Sequence, residues 1–277
     1  MALRLFPRKR HDDLIVFVHV PKTGGTAINH ALTRSGLKGQ DHIEHWLDKP
    51  DLAQKRLPTL DWVSGHVPYP TMRSFLSAHT PRVLRFFAAI RSPIEQVASH
   101  YNWLIEIHHR GPQVYNRHPQ SIRTISERIR NTDNTDPDAI IGQLKAASSL
   151  FLNQQSRVLL GANAAKLTAA ERQSRLRAFE HIATEDDLPA LIRHMTGKTD
   201  PILEPANRSE YHFDPQVFHA PRMKEFLMQS NKADEQLFEF LGKKAKVTID
   251  LTQEHSNKFG CASPVSNTEL FPFRQQI

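Results

Sequence analysis

The sequence predicts an α/β fold, a parallel sheet flanked by helices, with a helix-rich C-terminal half. Three observations carry this reading. Short runs rich in β-branched and aromatic residues end at turn residues and open onto helical patterns, and that strand–loop–helix unit recurs within the first hundred residues. The clearest of these runs is apolar on both faces, as a parallel strand covered from both sides must be. From Ala139 onward, most patterned segments have helical spacing. No linker-like stretch divides the 277 residues, so one domain over 1–277 is expected, with 1–12 and 256–277 peripheral.

The first predicted strand is Leu14–Val20, which ends at Pro21 and a glycine pair. A helix follows over Ala27–Arg34, with Ala27, Ile28, Ala31 and Leu32 on one face and Gly36 as its stop. Strands are expected at Asp61–His66 and Val83–Ile90. After the latter, Ser92, Pro93 and Glu95 read as N-cap, N1 and N3 of a capping box opening a helix to about His108. Its core face is Ile94, Val97, Ala98, Tyr101, Leu104 and Ile105. Segment 110–138, punctuated by Gly111, Pro112, Pro119 and Pro137, is expected to be an irregular excursion with one short helix near Ser121–Arg130, in the manner of an acceptor-binding lid. Helices are predicted at Ala139–Leu152, Ala169–Phe179, Glu185–Met195 and Lys224–Leu241, with an extended loop over Thr199–Pro221.

Hydrophobic residues are 39% and charged residues 23% of the chain, which excludes global disorder. The formal charge of +7 fits an anionic partner or, equally, a solvated basic surface. The lone cysteine, Cys261, has no partner for an intrachain disulfide. No apolar run is long enough to span a membrane and no signal-like core follows the basic N-terminal stretch, so a cytoplasmic protein is expected.

The strongest local signal is the segment FVHVPKTGGT, 17–26. A strand that turns through glycines directly into a helix aims backbone N–H groups and the positive end of the helix dipole at one spot, where an anion is favoured. Gly24 and Gly25 allow close approach, Lys22 adds charge, and Thr23 and Thr26 add hydroxyls. The lysine precedes the glycines, so this is not the Walker A pattern, and no carboxylate on a following strand offers itself for Mg²⁺. Alone, the segment also fits an ordinary Gly-Gly turn. In the same way Arg91, ending an apolar strand, and Ser99, two turns into the next helix on the face with Glu95 and Asn102, suit one phosphate together. Alone, they also fit a surface salt bridge and a solvated serine.

Taken together, these segments resemble the sulfotransferases that use 3'-phosphoadenosine 5'-phosphosulfate, most closely the carbohydrate branch that includes heparan sulfate 2-O-sulfotransferase and its bacterial relatives. The 5'-phosphosulfate loop there is P-K-T-G-[ST]-[ST], read here on Pro21, Lys22, Thr23, Gly24, Gly25 and Thr26, with Ala27 where many relatives have serine. The 3'-phosphate motif, R-[DS]-P-x-[ED]-[RQ]-x-x-S-x-[YF], is read on Arg91 to Tyr101, with Arg91 and Ser99 at its spacing. Weaker likenesses are Asn153 to Gly161, within which a structural role near the site is expected for Asn153 to Arg157, and Arg208 and Ser209, which resemble an element closing over the 3'-phosphate. The segment GHVPY, 65–69, resembles G-H-x-x-[YF], whose histidine is the catalytic base, here His66.

The resemblance implies a P-loop-like sulfotransferase domain that moves a sulfuryl group to a hydroxyl, on a carbohydrate in this branch, and leaves 3'-phosphoadenosine 5'-phosphate. His66 would take the acceptor proton and Lys22 would meet the charge growing on the leaving oxygen. No metal is required in this scheme; His108 and His109 are adjacent but lack any further ligand pattern. Two other classes remain open at this point: a metal-assisted phosphotransferase on the same kind of loop, and a non-catalytic basic glycan-binding protein. Nothing in the chain resembles a nucleic-acid-binding signature.

Overall fold

The computed structural model describes residues 13–198 and 210–242, and up to Leu241 these belong to one compact unit. Strands β1 (Asp13–Val18), β2 (Gly39–Gln40), β3 (Trp62–Gly65), β4 (Val83–Ala89) and β5 (Phe179–Ala183) form one sheet in the order β2-β3-β1-β4-β5. Every neighbouring pair is parallel. Val18 stands opposite Gly65 on one side and Ala88 on the other, so β1, β3 and β4 end level with one another. The chain lays β2 and β3 to one side of β1 and then crosses to β4 on the other. The C-terminal end of β1 is therefore the switch point of the sheet, the place where open α/β sheets bind ligands.

The period of two along β1 explains why it lies at the centre. Leu14, Val16 and Val18 face helices α2 (Pro50–Arg56), α3 (Tyr69–His79) and α9 (Gln154–Leu160), meeting Ala53, Met72, Leu76 and Leu159. Ile15 and Phe17 face α1 (Gly25–Arg34) and α11 (Leu188–Thr196), meeting Ile28, Leu32, Leu191 and Met195. Each such side chain contributes about 1.5–3 kcal/mol by leaving water. A second core is wholly helical. Helix α4 (Pro93–His109) packs Val97, Tyr101 and Leu104 against α6 (Gln120–Arg130), α7 (Pro137–Ala146), α8 (Ser148–Phe151) and α12 (Pro221–Ser230). A last helix runs over 232–242. No helix among the described residues is long and apolar enough to cross a membrane.

Several expectations need correction. Segment 110–138 is not an irregular excursion: a short helix α5 (Pro112–Tyr115) and α6 occupy it, α7 begins at its end, and the Ser126 hydroxyl donates to the Leu104 carbonyl at 2.5 Å, pinning α6 to α4. Its prolines start helices, and the short helix expected near Ser121–Arg130 is α6. The helix expected over 139–152 breaks between Ala146 and Ser148. The helix expected over 169–179 is α10 (Ala169–Leu176), and Phe179 instead opens β5. The first strand ends at Val18, two residues early. The capping box at Ser92 does not form, because Glu95 turns to Arg91 and His219. A true one closes α10, between Thr168 and Glu171. Of the predicted loop over 199–221, residues 199–209 lie outside the described residues and 210–221 hold a 3-10 turn at Pro215–His219. The peripheral segments 1–12 and 256–277 also lie outside them.

Candidate active site

The loop after β1 is shaped by its own backbone. Lys22 has φ 67° and Gly24 φ 87°, both left-handed, and the buried Thr23 hydroxyl donates to the Val20 carbonyl at 3.0 Å to close the turn between them. That hydroxyl is therefore committed to shaping the loop, contrary to its expected role as a ligand donor. Alternating left-handed residues turn successive N–H groups toward one concavity. From Lys22 through Ala27, no backbone N–H finds an acceptor among the described residues, and the first helical hydrogen bond of α1 is Ile28 to Gly24. These donors and the dipole of a ten-residue helix converge on the mouth of the loop. Thr26 is half-buried and Ala27 is buried, so Ala27 offers its N–H alone. Gly25 is required sterically: a Cβ there would stand 2.0 Å from His19 Nε2.

Lys22 sits in this mouth. Burial, then the nearby charges of Arg110 and Arg91, push its pKa down to about 8, with Glu106 opposing. Those neighbours place Arg91 and the last turn of α4 within electrostatic reach of the loop.

His66 stands beside the loop, one residue past β3. Its Nδ1 lies 3.0 Å from the His19 carbonyl oxygen, and its ring packs on the His19 ring at 4.1 Å between centroids. A carbonyl only accepts, so Nδ1 carries the proton and the neutral ring keeps its lone pair on Nε2. Burial of the packed side of the ring lowers the His66 pKa; Glu44 and the bond to His19 oppose this and His42 adds to it. The residue as a whole remains exposed, so the ring is open on its other side. His19 is buried, and burial followed by the charge of His66 holds its pKa well below the usual range.

Arg91 follows β4 at the same edge. Its guanidinium is at 2.8 Å from Glu185 and 3.4 Å from Glu95, so the salt-bridge alternative is realised in this structure. Its backbone is clamped by Gln155, whose Oε1 accepts from Arg91 N and whose Nε2 donates to Arg91 O, both at 2.9 Å. Asp234 in turn accepts from the N–H groups of Gln155 and Ser156 at the start of α9. Segment 153–157 thus has the structural role expected of it. Burial raises the Tyr211 pKa, and Arg91 and Ser99 are close enough to oppose this. Asn102, expected on the face with Glu95 and Ser99, is buried, and its amide holds the backbone of Glu210 and His212. Arg208 and Ser209 lie outside the described residues.

A buried polar network ties the two anchors together. Gln96 Nε2 donates to the Pro21 carbonyl at 3.1 Å and to Gln154 Oε1 at 2.6 Å, and His100 Nδ1 donates to the same oxygen at 3.1 Å. Burial and then the charge of Lys22 push the His100 pKa down to about 3. An ordinary histidine, as in the unfolded chain, titrates near pH 6.5. The unfolded state therefore binds the extra proton as pH falls from about 6.5 toward 3, and stability is lost in that window at up to ~1.4 kcal/mol per pH unit. Urea unfolding at pH 7, 6 and 5 is expected to show this slope on top of that from His19, and His100→Asn to flatten it; an unchanged slope would remove His100 from the account.

The structure thus brings Lys22, Gly24, Gly25, Thr26, His66, Arg91 and Ser99 to one edge of the sheet. Sequence reasoning missed Glu44, His42, His19, Gln96, His100 and Tyr211, which no spacing rule assigns to a site. A groove of about 620 Å³ lined by Tyr69, Pro70, Arg73, Ser74, Ser77 and Arg175 includes none of the loop residues. No group of three or more His, Cys, Asp or Glu among the described residues is arranged to hold a metal ion. No protein-family model matches the chain, and no curated protein matches it in sequence.

Proposed function

We propose that this chain is a P-loop-like sulfotransferase that moves a sulfuryl group from 3'-phosphoadenosine 5'-phosphosulfate to a hydroxyl of a carbohydrate. The observation that carries the reading is the row of unpaired N–H groups from Lys22 to Ala27, joined through the His19 carbonyl to a histidine whose Nε2 is free. An anion-binding loop and a general base built on neighbouring strand ends are what sulfuryl transfer needs side by side.

The donor supplies a sulfuryl group already attached to a stable leaving group. The loop amides and Lys22 would hold its 5' end, and Arg91 with Ser99 its 3'-phosphate, once the guanidinium exchanges Glu95 and Glu185 for the phosphate. His66 Nε2 accepts the acceptor's hydroxyl proton as that oxygen bonds to sulfur. On the far side, the bond from sulfur to the bridging oxygen breaks, and Lys22 and the loop amides meet the negative charge left there. The backbone clamp of Gln155 on Arg91 and the Gln96 bond to Pro21 hold both anchors in place before the donor arrives, which lowers the ordering cost of binding.

The test is transfer of radiolabelled sulfate from the donor to a panel of glycans, with the labelled product located on the sugar. Labelled glycan without added metal supports the reading. A chain that ignores the donor and its bisphosphate product, yet binds ATP in a Mg²⁺-dependent, EDTA-sensitive way, would favour phosphoryl transfer.

A further inference from the structure

The turn Ile43–Trp46 has no place in the mechanism above, yet it delivers a carboxylate to the base. Glu44 Oε2 accepts from the His66 backbone N–H at 3.2 Å, and Oε1 accepts from His42 Nδ1 at 3.0 Å. The His42 ring lies 5.4 Å from the His66 ring. Three features show that the contact is built in. A Cβ on Gly65 would stand 2.7 Å from Glu44 Oε2, so glycine before His66 leaves the space the carboxylate uses. His42 adopts φ 52°, one of three non-glycine residues in the left-handed region among the described residues, together with Lys22 and Asn153. That conformation is uncommon outside glycine and gathers where function over-determines the backbone. Glu44 is also held firmly ionised: burial works to raise its pKa, but the His42 bond, its own backbone N–H and the charges of His66 and His42 outweigh this and leave it at about 2.

We propose that Glu44 is a positioning residue for His66, fixing the Gly65–His66 backbone and supplying the counter-charge the ring needs when it takes a proton. This rests on the reading of His66 as the base. The other titratable groups coupled to the ring are histidines: His19 from the end of β1, His42 from the turn and His100 from α4. Glu44 is, among the described residues, the carboxylate whose charge favours protonated His66. The Glu44 bond to His42 raises the His42 pKa.

The test uses the full chain labelled with ¹⁵N-histidine. The His66 ring nitrogens, assigned by comparison with His66→Gln, are followed by NMR from about pH 5 to 8, the range in which histidine titrates. In the wild type, neutral His66 is expected to carry its proton on Nδ1. Glu44→Gln keeps the shape and the acceptor but removes the charge. Its His66 midpoint is expected to move to lower pH, with the acid limb of the rate profile moving the same way. Turnover is expected to fall about tenfold with the donor KM unchanged, less than loss of a base itself because the contact is partly exposed. His42→Asn, which tolerates the left-handed backbone, removes a positive charge that opposes protonation of His66 and frees Glu44 from its other partner, so it is expected to shift the midpoint less and to higher pH; it decides the matter should Glu44→Gln not fold. An unchanged His66 midpoint in the variants overturns the proposal. Full turnover in His66→Ala would instead remove the base reading, while a shifted midpoint would still support the coupling of Glu44 to His66.

Discussion

His66→Ala is expected to lower turnover about 10²–10⁴-fold, the range a positioned general base supplies, while leaving the affinity for 3'-phosphoadenosine 5'-phosphate within about twofold. The separation follows from geometry. The ring meets the end of β1 through the His19 carbonyl and the His19 ring, and the anion-facing N–H groups belong to residues 22–27. Removing the imidazole takes away the Nε2 lone pair and leaves those donors in place. Steady-state rates beside calorimetric titration of the bisphosphate check both halves. A variant that binds and turns over normally would take His66 out of the mechanism. In the wild type, the rate is expected to rise with pH through a midpoint below the ordinary histidine value, because burial of the ring's packed side disfavours the charged form.

Lys22→Met is expected to cost about 10²–10³ in turnover, comparable to removing one donor that meets developing charge, and to weaken donor binding as well. Any L-residue at this position carries the same left-handed backbone, so methionine changes the chemistry with no new strain relative to lysine. Lys22→Arg separates charge from titration. With a pKa of about 8, Lys22 is charged below that pH and neutral above it, so wild-type affinity for the bisphosphate is expected to decline as pH rises past about 8. A bound anion favours the charged lysine and moves the decline upward. Arginine stays charged throughout, so its affinity curve is expected to be flat over the same range. Equal pH profiles in wild type and Lys22→Arg would mean that another group titrates.

The sheet centre and both anchors were legible because they are local. Strand β1 is an unbroken apolar run, the glycine pair after it punctuates the turn, and Arg91 ends a second such run at the same edge. The edge strands were not. β2 is two residues long, and β5 follows α10 with no glycine or proline between them, so no pattern marked either. The prolines of 110–138 read as loop signals although each of the three helices there has a proline at its first turn or just before it. At Ser92 the local rule was right about the helix start and wrong about the bond, since an arginine and a histidine nearby outcompete a backbone N–H for the Glu95 carboxylate. The residues around His66 were out of reach for a different reason. Glu44 sits in a short turn with no period, and the pairing of β2 with β3 brings it to the base.

The most direct measurement is a crystal structure of the chain with 3'-phosphoadenosine 5'-phosphate bound. The account predicts the 5'-phosphate against the N–H groups of Lys22 to Ala27 and the Lys22 ammonium. It predicts the 3'-phosphate on Arg91 and Ser99, with the Arg91 guanidinium turned away from Glu185. A nucleotide bound elsewhere, or one with Arg91 still paired to Glu185 and the 3'-phosphate in solvent, would contradict it.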